Sequence, residues 1–427
     1  MINFPKKTNY QYGSLTTIEQ MVKSYENQLP ENKSADTARK NRENEILKAT
    51  KIPNLYVEHL NLKYINHLLK DDFYQYNVME GLHILSEELL KSKNLMETSK
   101  KVHQNIEKLT VLGAGANGNA FSASIGDKSD SFRVVIKTAI DAKNDDLMHE
   151  VFVGLAGTNK LRMQIPNFSF IYGGFKCDGP RINANSKEIK NFCTGKSNSV
   201  VTYALYENIK GQTVEKMLPQ MDADTFIIIY LQVLLALNYA NTKINFTHYD
   251  LHFENVIVRN PFEDQIFTIE YPTETLGNLY VYSNSIATFI DYGFSHITYK
   301  NKEYGIDIGF TGQDGSSAYP LCDAFKFLCF CMSAVNDQNV LKIGKKILKF
   351  FTNQTLDKIV TQGRPVFYYL QNNTELKSYS LEPLIKYIID NIDVKGIISN
   401  EKNSEYKILM CENTCLTLKE VIKESTK

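Results

Sequence analysis

An aspartate and an asparagine lie five positions apart in the stretch His248-Tyr249-Asp250-Leu251-His252-Phe253-Glu254-Asn255. A long apolar helical pattern precedes it and the strand-like run Val256-Ile257-Val258 follows. A loop held between two rigid elements is where catalytic groups usually sit. A second aspartate follows in Phe289-Ile290-Asp291-Tyr292-Gly293, and glycines cluster upstream in Gly113-Ala114-Gly115-Ala116-Asn117-Gly118. Lys137 ends the apolar run Phe132-Arg133-Val134-Val135-Ile136-Lys137. A lysine in a strand otherwise rich in Val and Ile needs a partner for its ammonium. Glu150 is the only glutamate between Lys137 and Glu188, which makes it the candidate to hold that lysine over a phosphate.

The order of elements around the glycines separates two ways of binding phosphate. A dinucleotide fold needs a helix directly after its glycines. Here Leu109-Thr110-Val111-Leu112 reads as a strand, and the glycines lead into a second strand, Ala120-Phe121-Ser122-Ala123-Ser124-Ile125. A turn at 126–130 and the strand ending at Lys137 complete the series. A strand–glycine turn–strand hairpin lies over a nucleotide as a flap, with backbone N–H groups approaching phosphate oxygens where no Cβ intervenes.

The elements that must position these residues follow from hydrophobic period. Residues 1–50 are polar, with a charged stretch at 31–45, and read as a solvated extension; helical stripes occupy 53–101. After the first three strands, residues 146–155 read as a helix, and 168–173 and 199–206 as two further strands. The Lys- and Asn-rich insert at 177–198 reads as a mobile surface excursion. Helical texture dominates from 213 onward, with patterns at 224–241, 321–335, 381–392 and 416–422. A second insert at 260–285 holds two alternating runs that would make an extra hairpin, and 294–319 is loop-like.

Composition narrows the classes. Lys+Arg and Asp+Glu are 48 each, so the net charge is zero and nothing favours a polyanion or nucleic-acid partner. With 43% hydrophobic and 22% charged residues the chain has the makeup of a globular protein with a real core. The longest apolar run, 226–240, is interrupted by Gln232 and Asn238 and reads as too short and too polar to span a bilayer. Seven cysteines show no disulfide-scaffold spacing; Cys322, Cys329 and Cys331 read as buried thiols, and Cys411 and Cys415 lack further zinc ligands. Reduced thiols and a cytoplasmic setting are expected.

With these residues in hand, the chain resembles the protein-kinase-like superfamily over roughly residues 109–335. The glycine loop is Gly113-x-Gly115-x-x-Gly118, the Val-Ala-Ile-Lys strand is Val134-Val135-Ile136-Lys137, the catalytic loop is residues 248–255, and the Asp-Phe-Gly element is Asp291-Tyr292-Gly293. Asp323 matches the helix aspartate that braces the catalytic loop. The resemblance implies an α+β, two-lobed fold: an N-terminal extension over 1–105, a five-stranded antiparallel N-lobe over 106–209 and a mainly helical C-lobe over 210–427. It implies ATP and Mg²⁺ as cofactors. Gly113, Gly115, Gly118 and Lys137 would hold phosphates, with Lys137 held by Glu150, and Glu207 and Ile209 would present backbone groups to the adenine. Asn255 and Asp291 would hold Mg²⁺, whose hard character suits oxygen ligands. Asp250 would orient the acceptor hydroxyl and take its proton, and His252 could donate a hydrogen bond to the transferred phosphate.

Three departures shape the expectation. Tyr249 replaces the arginine that many kinases use to sense a phosphorylated activation loop, so no dependence on such phosphorylation is expected. No Ala-Pro-Glu element is recognisable. His252 stands where Ser/Thr kinases carry lysine, and Asp-Leu-His-x-x-Asn is also typical of aminoglycoside and other small-molecule phosphotransferases. The leading expectation is a protein kinase acting on Ser/Thr hydroxyls. A choline- or aminoglycoside-kinase-like phosphotransferase is the second, and a pseudokinase scaffold the third. The His-x-Asp-Leu-His loop, the inserts and the Asn-, Lys- and Ile-rich composition are also similar to divergent kinase-like proteins of large DNA viruses, which would place the protein in host cytoplasm or virion.

Overall fold

The structure, a computed structural model, describes Ser92 and residues 94–408 apart from 115–117, 126–131, 143–144, 163, 183–188, 197–198, 261–264, 307–314, 316, 353–354, 357–359, 362–363, 366–379 and 404–405. The expectations for residues 1–91, Gly115, the turn at 126–130, Cys411, Cys415 and the helix at 416–422 lie outside the described residues. The chain is α+β and divides into two compact units. Unit 1 comprises the described residues up to Lys160 with Phe170–Asn208; unit 2 comprises Leu161–Ser169 with the described residues from Ile209 on.

Unit 1 opens with helix α1 (Leu95–Asn105), whose first turn is capped by the Asn94 side chain accepting from the Glu97 N–H. The chain then forms β1 (Ile106–Ala114), β2 (Asn119–Ile125) and β3 (Phe132–Thr138). Helix α2 (Leu147–Val153) follows, continued by π-helical Gly154–Thr158 and a last turn, Asn159–Arg162, that passes into unit 2. Then come β4 (Ile171–Asp178), β5 (Arg181–Ile182), β6 (Ile189–Asn191) and β7 (Val200–Glu207). Five strands make one antiparallel sheet in the order β1-β2-β3-β7-β4. The alternation read in β2 is the burial pattern: Phe121, Ala123 and Ile125 point inward. Phe175 and Tyr203 stack across β4 and β7 at 4.8 Å between ring centroids.

Two expectations need correction here. The strand expected at 168–173 begins at Ile171, because Phe168 is drawn into unit 2, where its ring packs edge-on against Phe246 and Phe289. The insert at 177–198 is tied down in its described part. Cys177 and Cys193 form a disulfide, and the Asp178 carboxylate accepts from the N–H and hydroxyl of Thr194 and from the Gly195 N–H. The expectation of reduced thiols therefore fails for this pair; Cys322, Cys329 and Cys331 are buried, as their apolar surroundings led one to expect. Spacing gave no sign of the bridge, because it joins a strand end to the return of its own insert.

Unit 2 is built on α3 (Ala223–Ile244), capped by Asp222 accepting from the Thr225 N–H at 2.8 Å. The short strand β8 (Gln212–Thr213) precedes it; β9 (Val256–Arg259), β10 (Phe267–Pro272), β11 (Asn278–Ser283), β12 (Ile286–Phe289), β13 (Ile297–Tyr299) and β14 (Lys302–Tyr304) follow. Helices α4 (Pro320–Ala334), α5 (Gln338–Phe351) and α6 (Glu382–Asn391) complete it. The second insert forms the hairpin β10–β11, extended by Ile398–Ser399 and Lys407–Ile408 into a four-stranded sheet. The stretch read as loop after Gly293 contains the β13–β14 hairpin.

The apolar run read as too short to span a membrane lies in a longer helix than expected. At 22 residues α3 is about 33 Å long, enough by length and composition to cross a bilayer. In this structure 78% of its most apolar window is buried. Tyr230 stacks on Phe327, and the buried Gln232 amide bonds Ser285 and Ala287, so the helix is a core element whose polar side chains have partners.

Candidate active site

Unit 2 carries the loop. Helix α3 stops where Asn245 enters the left-handed region (φ 52°), which asparagine tolerates. Beyond it, Asp323, fully buried on α4, accepts the backbone N–H groups of His248 (2.6 Å) and Tyr249 (2.8 Å). An aspartate in a first helical turn often serves only the helix, but here the carboxylate braces the loop. Burial pushes its carboxyl up to about 7, against the lowering effect of the two backbone donors and Lys326. Tyr249 sits at φ 62°, uncommon for a bulky side chain. Its ring is buried with Ile306 against Phe294 and Tyr319, and its hydroxyl donates to the Ser317 carbonyl.

A 3₁₀ turn, Phe253–Asn255, delivers Asn255 to the start of β9. Strand β9 pairs antiparallel with β12, Val256 opposite Phe289, so the residues before β9 and after β12 fall at one end of the ladder. There the Ile290 N–H donates to the Asn255 carbonyl at 3.0 Å, and the Ile290 carbonyl accepts from His248 Nε2 at 2.9 Å. Asp291 follows directly at φ 66°. Tyr292 is fully buried, and its hydroxyl bonds Ser169 and the Phe289 carbonyl.

The charges on this loop are set by its neighbours. Asp250 Oδ1 accepts from Lys326 Nζ at 2.7 Å, and Oδ2 lies 3.7 Å from His252 Nε2. Burial alone would raise the Asp250 carboxyl; the nearby His252 ring and the Lys326 ammonium outweigh it and hold the group well below the usual carboxylate range. His248 Nε2 donates to the Ile290 carbonyl, so Nδ1 is the acceptor for the Asp250 N–H at 3.3 Å. That arrangement needs a neutral ring, and burial lowers its pKa to about 4 despite Asp250, the Ile290 carbonyl and Asp291. His252 Nδ1 accepts the Glu254 N–H at 3.3 Å, and Nε2 is on the side of the ring that faces Asp250. Asn255 Nδ2 donates to the Asp250 carbonyl at 2.9 Å and lies 3.2 Å from His252 Nε2. Its amide nitrogen is thereby committed to the loop, and Oδ1 is the atom left for a ligand.

Unit 1 carries the lysine. Lys137 Nζ donates to Glu150 Oε2 at 2.9 Å, and the Glu150 side chain is fully buried. Strand β3 is paired on both sides, with Lys137 opposite Ala120 on β2 and Ala204 on β7, which fixes the register of the lysine. The three glycines differ. A Cβ on Gly118 would lie 2.6 Å from the Thr138 carbonyl oxygen, so close backbone approach demands glycine there. A Cβ on Gly113 would meet nothing within 4 Å. Glu207 ends β7 with its N–H engaged by the Phe170 carbonyl and its carboxylate accepting the Phe170 N–H. Ile209 follows in irregular chain, half-buried.

Asp250, His252 and Asn255 thus meet on one loop, and Lys137 and Glu150 form one ion pair. Among the described residues no cluster of three or more His, Cys, Asp or Glu could form an all-protein metal cage. Oxygen ligands from Asn255 and Asp291 fit Mg²⁺, which is commonly bound through one or two protein oxygens, phosphate and water. Lys326 was not anticipated from sequence. The signal was present, since a lysine amid the apolar residues of α4 needs a partner as Lys137 does.

No family model matches the chain. A curated viral protein does. Over 233 residues, 53% of this chain, it is 31% identical to "Probable kinase 098L" of Invertebrate iridescent virus 3. The chain has a kinase-like relative among large DNA virus proteins. Two proteins of the same virus also match: "Uncharacterized protein 038R" at 38% identity over 69 residues and "Uncharacterized protein 035R" at 27% over 175. These matches span 39%, 13% and 16% of the relatives' own lengths, well under half of each. The likeness read from the loop and glycine motifs is borne out by the first of these relatives.

Proposed function

We propose that the chain is an ATP- and Mg²⁺-dependent phosphotransferase, acting as a kinase on Ser/Thr hydroxyls of a protein. The observation that carries this reading is Asp250, an ionised carboxylate fixed on one oxygen by Lys326, on the same short loop as Asn255. Phosphoryl transfer asks a protein for positioning and charge neutralisation more than for covalent help. Lys137, steadied by Glu150, supplies a fixed positive charge for the α- and β-phosphates. Asn255 and Asp291 would hold Mg²⁺, which when bound neutralises phosphate charge. Asp250 accepts the hydroxyl proton as the acceptor oxygen bonds to the γ-phosphorus and the bond to the bridging oxygen breaks, releasing ADP. The name of the viral relative, a probable kinase, supports the same class.

A small-molecule phosphotransferase is the second reading. It is favoured by His252, which in place of lysine turns its ring toward Asp250. Radiolabelled ATP supplied with a protein panel and a panel of small hydroxyl compounds separates the two by where the label goes. In either case Asp250→Asn should reduce transfer by roughly 10²–10⁴-fold. Nucleotide binding, followed by thermal shift with Mg²⁺, should persist. Transfer that survives this substitution would overturn Asp250 as the base.

A further inference from the structure

We propose that Lys326 is the positioning residue of the reaction. It fixes Asp250 through Oδ1 and leaves Oδ2 as the oxygen that meets the acceptor hydroxyl. The inference rests on the phosphotransferase reading above and adds to it a residue from outside the catalytic loop.

Lys326 lies one turn beyond Asp323 on α4, so one helix face supports the loop twice. Asp323 takes the N–H groups of His248 and Tyr249, while Lys326 Nζ donates to the Tyr249 carbonyl at 3.0 Å and to Asp250 Oδ1 at 2.7 Å. The Lys326 side chain is only 10% exposed, and α4 is otherwise largely apolar. A lysine in such surroundings is found where its ammonium has a hydrogen-bonding partner. The two oxygens of Asp250 are not equivalent. Oδ1 is engaged by an ammonium at short range, whereas Oδ2 has only His252 Nε2, at 3.7 Å, too far for a good hydrogen bond. An incoming hydroxyl therefore finds Oδ2. The position two after Asp250, where Ser/Thr kinases carry lysine, holds His252. The positive charge beside the base comes instead from a helix 76 positions downstream.

The test uses the full chain with ATP, Mg²⁺ and dephosphorylated casein, and follows initial rates of label transfer. Lys326→Met should lower kcat by roughly 100-fold, the scale of a misplaced catalytic group, and leave the KM for ATP within about twofold. Lys326→Arg, which keeps the charge, should recover most of the loss. Lys326→Gln stands in for the methionine variant if that one fails to fold, as judged by its thermal midpoint. In an Asp250→Asn background, Lys326→Met should cost little more, because its target is already gone. Equal losses in both backgrounds would reduce Lys326 to a structural residue and overturn the proposal. So would wild-type kcat in folded Lys326→Met. A wild type that transfers no label to casein, to itself, to the panel of small hydroxyl compounds or to water overturns the phosphotransferase reading, and the proposal falls with it.

Discussion

Two lysines in this chain pose the same physical problem, and only one was solved by reading the sequence. Lys137 ends an apolar strand, and its carboxylate partner lies 13 positions on, within the next helix, so proximity in sequence narrowed the choice to Glu150. Lys326 is buried on an apolar helix, but its partner lies 76 positions upstream. Sequence shows that such a charge needs compensation but not which distant carboxylate the fold will bring. His248 belongs to the same class of hidden role. Its ring must be neutral to accept the Asp250 N–H while donating to the Ile290 carbonyl. Its folded pKa of about 4 lies below the 6.5 of an exposed imidazole, so the unfolded chain binds more protons between those values. His248 thus contributes stability above about pH 6.5 that is lost as the pH falls toward 4. Asp323 has the opposite sign, since its carboxyl, raised to about 7, favours the folded state at lower pH in much the same window. The comparison that isolates the histidine is wild type against His248→Asn, by urea denaturation at pH 7, 5.5 and 4.5. The wild-type advantage should shrink with acidity, and a constant difference would show that the ring is not held neutral.

At the scale of elements, the parts legible in sequence were those with a clean period or a strong turn signal. The first three strands and the helices at α3, α4 and α6 follow the expected runs to within a few residues. The alternation at 266–282 marked a hairpin, and β10–β11 is one. What period could not supply was attachment. The turn of that hairpin is held by Glu382, at the start of α6. Its carboxylate accepts from the N–H groups of Glu274 (2.6 Å) and Thr275 (2.8 Å), the Thr275 hydroxyl and the Asn238 amide. Burial would raise the Glu382 carboxyl, but these donors prevail and lower it. In Glu382→Gln one oxygen becomes an NH₂ group facing donors. We expect a loss of about 1–3 kcal/mol in urea denaturation, the scale of buried hydrogen bonds broken without replacement. An unchanged midpoint would mean that the hairpin is held by apolar contacts alone. Asn255 and Asp291 illustrate the opposite case. They are 36 positions apart, yet the pairing of β9 with β12 brings their backbones to one end of a ladder, as the two short motifs flanking strand-like runs already indicated.

The whole molecule departs from expectation in its cysteines. An odd count and irregular spacing argued for thiols, but Cys177 and Cys193 are bonded and fully buried. Pairing depends on where the insert returns, and the insert returns along the edge strand it leaves, with Asp178 binding the Thr194–Gly195 backbone beside the bridge. With 16 positions between them, the bonded cysteines should contribute about 3 kcal/mol by restricting the unfolded chain. Denaturation of the wild type with and without dithiothreitol should reveal that difference, and a Cys177→Ser/Cys193→Ser double variant should match the reduced protein in both buffers. Indifference of the wild type to the reductant would show that the bridge carries no stability.

That bridge ties two chemistries into one equilibrium. Whatever free energy the bond adds to folding, folding must add to the bond's resistance to electrons, because the cycle of oxidation and unfolding closes. A reductant arriving at the intact protein meets two sulfurs with no exposed surface, so it must wait for the end of β4 to open. The rate at which this pair surrenders to a thiol buffer is then a clock for local opening at the edge of the five-stranded sheet, readable without any assay of phosphate transfer.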